Sequence, residues 1–354
     1  MHCEDSSINK GCTVISPVCA SVGTGGGPVS PQKKFWGAVG TLPTWGDAAA
    51  PSPPFPGRPR HHPDNYGAVS QGFGGGRVVV TPAPWGSRGA AVGQLWGRRE
   101  AMEGPGAQHV LVTGCDGGVG LGLVKRFLEL PSPPRRLFAA CTDPDGKALN
   151  ELALGTPNLV VLPLDVTDAG SIGAAVGRVR DELRGAGLSL LINTAGTRRH
   201  STLQAETAEN MALLYATNTI GPLQVTQAFL PLLQEAAQAG RGQELSCSRA
   251  AVVNVSSAMG SIGVAAAWGD AQDVSYRCSK AALNMLTKCQ ALQYGHSGIL
   301  CIAIDPGDVE AAPGSQESPV TMEESTQGVL RVLAGLSASS NGTFWDWRGQ
   351  SLPW

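Results

Sequence analysis

Tyr276 and Lys280, set four residues apart, carry the clearest chemistry in the chain. On a helix that spacing stacks both side chains on one face, one turn from each other. An ammonium beside a phenol favours the phenolate and draws the phenol towards the working range of a general acid. The spacing is common by itself, and elsewhere marks a packed tyrosine beside a solvated lysine. Here it gains weight from what precedes it: a glycine-rich turn at 113–120, the run Asn193-Thr194-Ala195-Gly196, Asn218, and the adjacent hydroxyls Ser256 and Ser257.

Such residues meet only if regular elements carry them to one place. From residue 107 onward, apolar runs alternate with helical stretches. Strands are predicted at 109–112, 136–141, 159–162, 189–192, 250–255 and 300–304. Helices are predicted at 118–130, 168–184, about 208–238, and 275–294. Continuous apolar strands separated by helices imply a parallel sheet covered on both faces. The expected fold class is therefore α/β: one doubly wound, Rossmann-like domain over residues 106–354. The turn at 113–120 joins its first strand to its first helix. Glycines there allow backbone amides to approach a pyrophosphate, helped by the positive end of the helix, so dinucleotide binding is expected.

Residues 1–105 differ in kind. The first 104 residues hold 12 Pro and 19 Gly, with 9 Lys/Arg against 6 Asp/Glu. Pro51-Ser52-Pro53-Pro54 and Gly74-Gly75-Gly76 are linker chemistry, with too little apolar surface to offset the entropy of ordering. A short run, Val78-Val79-Val80, is a strand candidate without support nearby. Trp36, Trp45, Trp85 and Trp96 are unusual for such a segment and would suit partner anchors, though an unselected extension explains them at least as well. The segment is expected to be disordered and dispensable for chemistry, with Met102 standing just before the first convincing strand.

A formal net charge of −2 provides no basic field for nucleic acid. Nine cysteines fall at scattered positions without Cys-x-x-Cys or metal spacing, which suits reduced thiols and predicts no metal site. No window approaches the apolar length of a membrane span. The expectations are a cytoplasmic protein with no nucleic-acid or membrane partner.

The ordered motifs Thr-Gly-x-x-x-Gly-x-Gly, Asn-x-Ala-Gly, serine and Tyr-x-x-x-Lys resemble the short-chain dehydrogenase/reductase family over roughly 107–354. The neighbourhoods of Ile220-Gly221-Pro222 and Ser257-Ala258-Met259-Gly260, with the ending at Pro353-Trp354, look like its C-factor/sniffer-type carbonyl reductase branch. The resemblance implies hydride transfer between NAD(P)(H) and a small-molecule carbonyl or alcohol. Tyr276 would protonate the carbonyl oxygen, Lys280 would lower its pKa and bind the nicotinamide ribose, Ser257 would orient the substrate, and Asn218 would hold a relay water. Ser256 is expected to cap or pack the strand end. Cofactor contacts are implied for Thr113, Gly114, Asp116, Gly118, Val119, Gly120, Thr142, Asp165, Val166, Asn193, Ala195, Gly196, Pro306, Gly307 and Val309. Asp165 would meet the adenine, or cap the helix that follows it.

The chain also departs from the branch. Relatives that prefer NADP carry an arginine just after the second strand and a basic residue inside the glycine turn. Here those places hold Thr142 and Gly117, with Asp116 and Asp143 alongside. No guanidinium clamps a 2′-phosphate, yet the acid that selects NAD is replaced by Cys141, so NAD versus NADP stays open. Thr194 replaces an asparagine, and Ala311 replaces a threonine that contacts the carboxamide. An alternative function is a dinucleotide-binding regulatory or signalling protein with vestigial catalysis. A third is an interaction module built on the tryptophan-bearing segment. A homodimer through the helices at 208–238 and 275–294 is possible by analogy.

Overall fold

The computed structural model describes residues 103–264, 272–309 and 320–354. The expectations for residues 1–102, including the strand candidate at 78–80, and for Ala311 lie outside the described residues. The ordered elements begin with β1 (His109–Val112), α1 (Gly118–Leu128), β2 (Arg136–Cys141), α2 (Lys147–Ala153) and β3 (Leu159–Pro163). Next come α3 (Ala169–Leu183), β4 (Leu190–Asn193), α4 (Ala208–Tyr215), α5 (Gly221–Ala239) and β5 (Ala251–Val255). The remainder are α6 (Val274–Tyr294), β6 (Leu300–Asp305), α7 (Met322–Ala334), β7 (Phe344–Asp346) and β8 (Ser351–Leu352).

The strands form one sheet in the order β3-β2-β1-β4-β5-β6-β7-β8, parallel except for the last pair. The chain starts in the middle, builds outward through β2 and β3, then crosses to β4 on the other side of β1. That reversal opens a crevice at the carboxyl ends of β1 and β4, where doubly wound sheets bind ligands. Side chains alternate across the sheet. Val110 and Val112 join the layer of α1 and α7 with Phe127, Val329 and Leu333, whereas Leu111 joins that of α3 and α5 with Val179, Phe229 and Leu233. Phe127 and Phe229 are fully buried, each contributing about 1.5–3 kcal/mol of transfer free energy.

The helix predicted at 208–238 is not continuous. A π turn at Ala216–Ile220 separates α4 from α5, and the Gly221 amide bonds back to Ala216, five residues earlier. Pro222 explains part of this break. Lacking an N–H, it cannot supply the bond that the Asn218 carbonyl would accept in a regular helix.

Four elements escape prediction. α2 is only 7 residues long, and β7 and β8 have 3 and 2 residues. The start of α7 was legible: Thr321 and Glu324 form a reciprocal capping box, the Thr-x-x-Glu signature.

Candidate functional site

The glycine turn closes on the end of β4. Gly114 has φ +68°, and a β-carbon there would lie 2.6 Å from Ala195 Cα. A β-carbon on Gly120 would run into the carbonyl oxygen of Gly114. The buried Thr113 hydroxyl accepts the Thr194 amide at 3.1 Å and the Ala195 amide at 3.2 Å, tying the turn down. Helix α1 then begins behind Gly117 without a side-chain cap, so its first amides remain available to an anion.

Within the turn, Asp116 Oδ1 accepts three hydrogen bonds: the Thr142 amide at 2.9 Å, the Thr142 hydroxyl at 2.7 Å and the Asp143 amide at 2.9 Å. Burial alone would raise this carboxyl, but the bonds from Asp143 and Thr142 hold it below the ordinary aspartate value. Asp165 takes the hydroxyl and amide of Thr167 at 2.7 and 2.8 Å, and the Thr167 bonds lower it as well. It does not cap α3, as one reading of the sequence allowed. That position belongs to Asp168, which accepts the Gly170 amide at 2.8 Å.

These residues line a cleft of about 710 Å³ running from Asp116, Gly118, Val119, Gly120 and Thr142 past Asp165 and Val166 to Ala195, Gly196, Tyr276, Lys280 and Pro306. A smaller pocket of about 130 Å³ adjoins it, with Ser257, Met259, Asp305, Gly307 and Asp308 around Tyr276. Asn193 is not brought to either wall. Its buried amide donates to Asn254 Oδ1 at 2.9 Å and Thr226 Oγ1 at 3.2 Å, joining β4 to β5 and α5. Asn254 in turn donates to Thr287 and Gln290 on α6, both at 2.8 Å. Val309 is half-buried and lines neither pocket.

Tyr276 and Lys280 share one face of α6, as predicted. Lys280 is 4% exposed, donates to the Val255 carbonyl at 2.8 Å, and lies 5.7 Å from the Tyr276 ring centroid. Burial drives its pKa down to about 8, partly opposed by Asp305. The Tyr276 hydroxyl hydrogen-bonds Ser257, whose Oγ also accepts the Met259 amide at 3.2 Å. The expected lowering of the phenol is not found. Burial pushes it up to about 12; the Ser257 bond and Arg198 pull it back, while Asp305 and Asp308 push it further up. Desolvation and two carboxylates outweigh the Ser257 bond and the Arg198 cation.

Asn218 sits fully buried in the π turn. Its side chain is committed to Thr197, accepting the amide at 2.8 Å and donating to the carbonyl at 2.9 Å, and to Ser279 Oγ at 3.0 Å. Ser279 continues to the Tyr276 carbonyl at 2.8 Å. Ser256 packs as expected at the strand end: its hydroxyl donates to Asn284 Oδ1 at 2.6 Å, while the residue also borders both pockets.

Sequence reasoning missed Arg198 and Asp273. The Arg198 guanidinium lies 5.5 Å from the Tyr276 ring centroid. It grips Asp273 Oδ2 through Nε at 2.9 Å and Nη2 at 2.8 Å, and reaches Asp308 at 3.3 Å. Asp273 is fully buried just ahead of α6, and His200 Nδ1 lies 3.1 Å from its other oxygen. The signal is the cationic run Arg198-Arg199-His200, one residue past the strand-end motif. Asp305 was missed too; burial pushes its carboxyl up to about 6.

Among the described residues, no group of acidic, histidine and cysteine side chains is arranged to hold a metal. No helix among them is long and apolar enough to cross a membrane, and their six cysteines are free thiols.

The family model for short chain dehydrogenases matches residues 108–320. The NADPH-bound carbonyl reductase from chicken fatty liver is 48% identical, with a TM-score of 0.66 over 70% of this chain and 99% of that one. The carbonyl reductase Sniffer of D. melanogaster is 33% identical, also with a TM-score of 0.66, over 70% of this chain and 100% of its own. The C-signal protein of Myxococcus xanthus is 34% identical over 145 residues, 41% of this chain and 79% of that protein. With the sheet order and the glycine turn, these matches show that the chain belongs to the short-chain dehydrogenase family of NAD(P)-dependent oxidoreductases.

Proposed function

We propose that this chain interconverts carbonyl compounds and alcohols, with Tyr276 as general acid/base. The observation that carries this reading is the Tyr276 hydroxyl, bonded to Ser257 where the long cleft meets the smaller pocket, with Lys280 buried behind it. The glycine turn fits a dinucleotide pyrophosphate, since Gly114 and Gly120 leave no room for a β-carbon and α1 offers its first amides.

A reduced nicotinamide bound there supplies the hydride for the carbonyl carbon. The chain's own residues handle the oxygen. Ser257 donates a hydrogen bond that aligns it. As negative charge grows on that oxygen, the Tyr276 proton moves to it, giving the alcohol and a tyrosinate. Arg198 and the Lys280 ammonium stabilise that tyrosinate, and Lys280 passes a proton back through water. Because the Asn218 side chain is committed to Thr197 and Ser279, its carbonyl is the atom that holds the relay water. The small pocket, with Arg198, Asp305 and Asp308 around Tyr276, suits a compact, polar carbonyl substrate.

The likeness to C-signal favours a second reading, a dinucleotide-binding regulator with little turnover. Steady-state oxidation of NADH and NADPH with a panel of aldehydes and ketones separates the two. Turnover well above the cofactor-only background supports the enzyme. Dinucleotide binding with no turnover on any carbonyl would instead establish the regulator. A reduced, cytoplasmic setting belongs to the same proposal. So does a homodimer through α4, α5 and α6, where Leu213, Met285 and Leu292 are exposed, and sedimentation velocity tests the dimer.

A further inference from the structure

The cleft is electrically lopsided. Among the described residues, its charged lining consists of Asp116 and Asp165 towards one end, and Arg198 and Lys280 at Tyr276. The glycine turn fixes which way a dinucleotide lies: the pyrophosphate at α1, the nicotinamide towards Tyr276, and the adenosine beside Asp116, Thr142 and Asp165. A 2′-phosphate on that adenosine is held by an arginine or by backbone amides, whereas a bare ribose needs only an acceptor for its hydroxyl.

In this chain the amides at that place are already taken. The Asp116 carboxylate collects the backbone N–H groups of Thr142 and Asp143, together with the Thr142 hydroxyl, on a single oxygen. Its own anionic charge fills the spot where an anion would otherwise find three donors. The next cation along the chain, Lys147, lies 3.7 Å from Glu151 on the exposed face of α2. Asp143 adds a second carboxylate to the loop.

Resting on the dinucleotide reading above, we infer that Asp116 is an internal substitute for the 2′-phosphate and makes this site selective for NAD(H) over NADP(H). A carbonyl reductase 48% identical to this chain has NADPH bound, so a selectivity of this sign would set this chain apart from that relative. Asp116 supplies the mechanism twice over, by occupying the donors and by repelling a dianion.

The test is equilibrium binding, which needs no substrate. Dissociation constants are measured by titration calorimetry for NADH, NADPH, 5′-AMP and 2′,5′-ADP on the full chain. The expected result is at least about tenfold tighter binding of NADH than NADPH, and of 5′-AMP than 2′,5′-ADP, with the gap shrinking as salt screens the charge. Asp116→Asn keeps an oxygen acceptor for the loop and removes the charge, so it should narrow the gap. Asp116→Ala also frees the amides and should close or reverse it. Equal or tighter binding of NADPH to the unaltered chain overturns the inference while leaving the dinucleotide site intact. A gap that neither substitution changes, in protein with an unaltered circular dichroism spectrum, also overturns it. Failure of both dinucleotides to bind is a different result, which removes the underlying reading together with the inference.

Discussion

The two ends of the cleft do different kinds of physical work. At the Tyr276 end, charges are buried and far from their ordinary pKa values: the phenol up to about 12, the ammonium down to about 8, and the Asp305 carboxyl up to about 6. At the other end, the glycine turn works through backbone shape and saturated hydrogen bonds, and the Asp116 and Asp165 carboxyls lie below their ordinary range. On the proposed reading, one end exchanges a proton and the other holds its shape. A substitution at the first should change rates and pH profiles with little loss of binding. A substitution at the second should change binding without altering the proton step.

The largest expected effect is at the first end. Tyr276→Phe removes the proton donor and should lower kcat by about 10²–10⁴-fold, while the NADH dissociation constant measured by calorimetry stays within about threefold. A comparable loss of binding would erase the distinction between the two ends. Gly114→Ala is the mirror experiment. Its φ of +68° and the contact with Ala195 make a β-carbon costly, by about 1–3 kcal/mol of strain. Dinucleotide affinity and melting temperature should fall together, whereas the pH dependence of any residual turnover should not move.

Arg198→Lys sharpens the first end further. Alcohol oxidation needs the tyrosinate, so its kcat/KM should rise with pH towards the phenol's pKa. Lysine keeps a charge for Asp273 but loses the two-pronged grip and the position over the ring. The phenol should then be harder to ionise, moving the rising limb to higher pH and lowering the rate at neutral pH by about tenfold. An unmoved limb would reduce Arg198 to a structural role. The smallest effect is expected far from both ends: Thr321→Ala breaks the α7 capping box, costing about 1 kcal/mol of stability in denaturant unfolding with turnover unchanged.

How far these features can be read from the chain depends on their range. β1, β2 and β6 announce themselves because continuous apolar runs have few other uses, and the glycine turn because it stands between such a run and a helix. The Tyr276–Lys280 face follows from helical spacing alone. What stays hidden depends on chain segments that meet only after folding. Arg198 looks like one more solvated cation until Asp273, 75 residues away, is placed beside it. Asp116 looks like loop polarity until it meets Thr142 and Asp143, 26 and 27 residues on. The raised pKa of Tyr276 is hidden for the same reason, since a local cation is visible in sequence and the depth of burial is not. Asp165 and Asp168 compete for one cap at a spacing that local propensity does not resolve.

The π turn at Ala216–Ile220 has a consequence for how this chain can change over time. It holds one residue more than a regular helix would need. Deleting Thr219 or Ile220 would remove that extra residue, while Pro222 would still withhold an amide from the ladder. The step is about 100° around the axis, enough to swing Asn218 away from Thr197 and Ser279. A frame-preserving loss of one such codon is therefore expected to break the Asn218 contacts with Thr197 and Ser279, read as lost turnover with the circular dichroism spectrum retained.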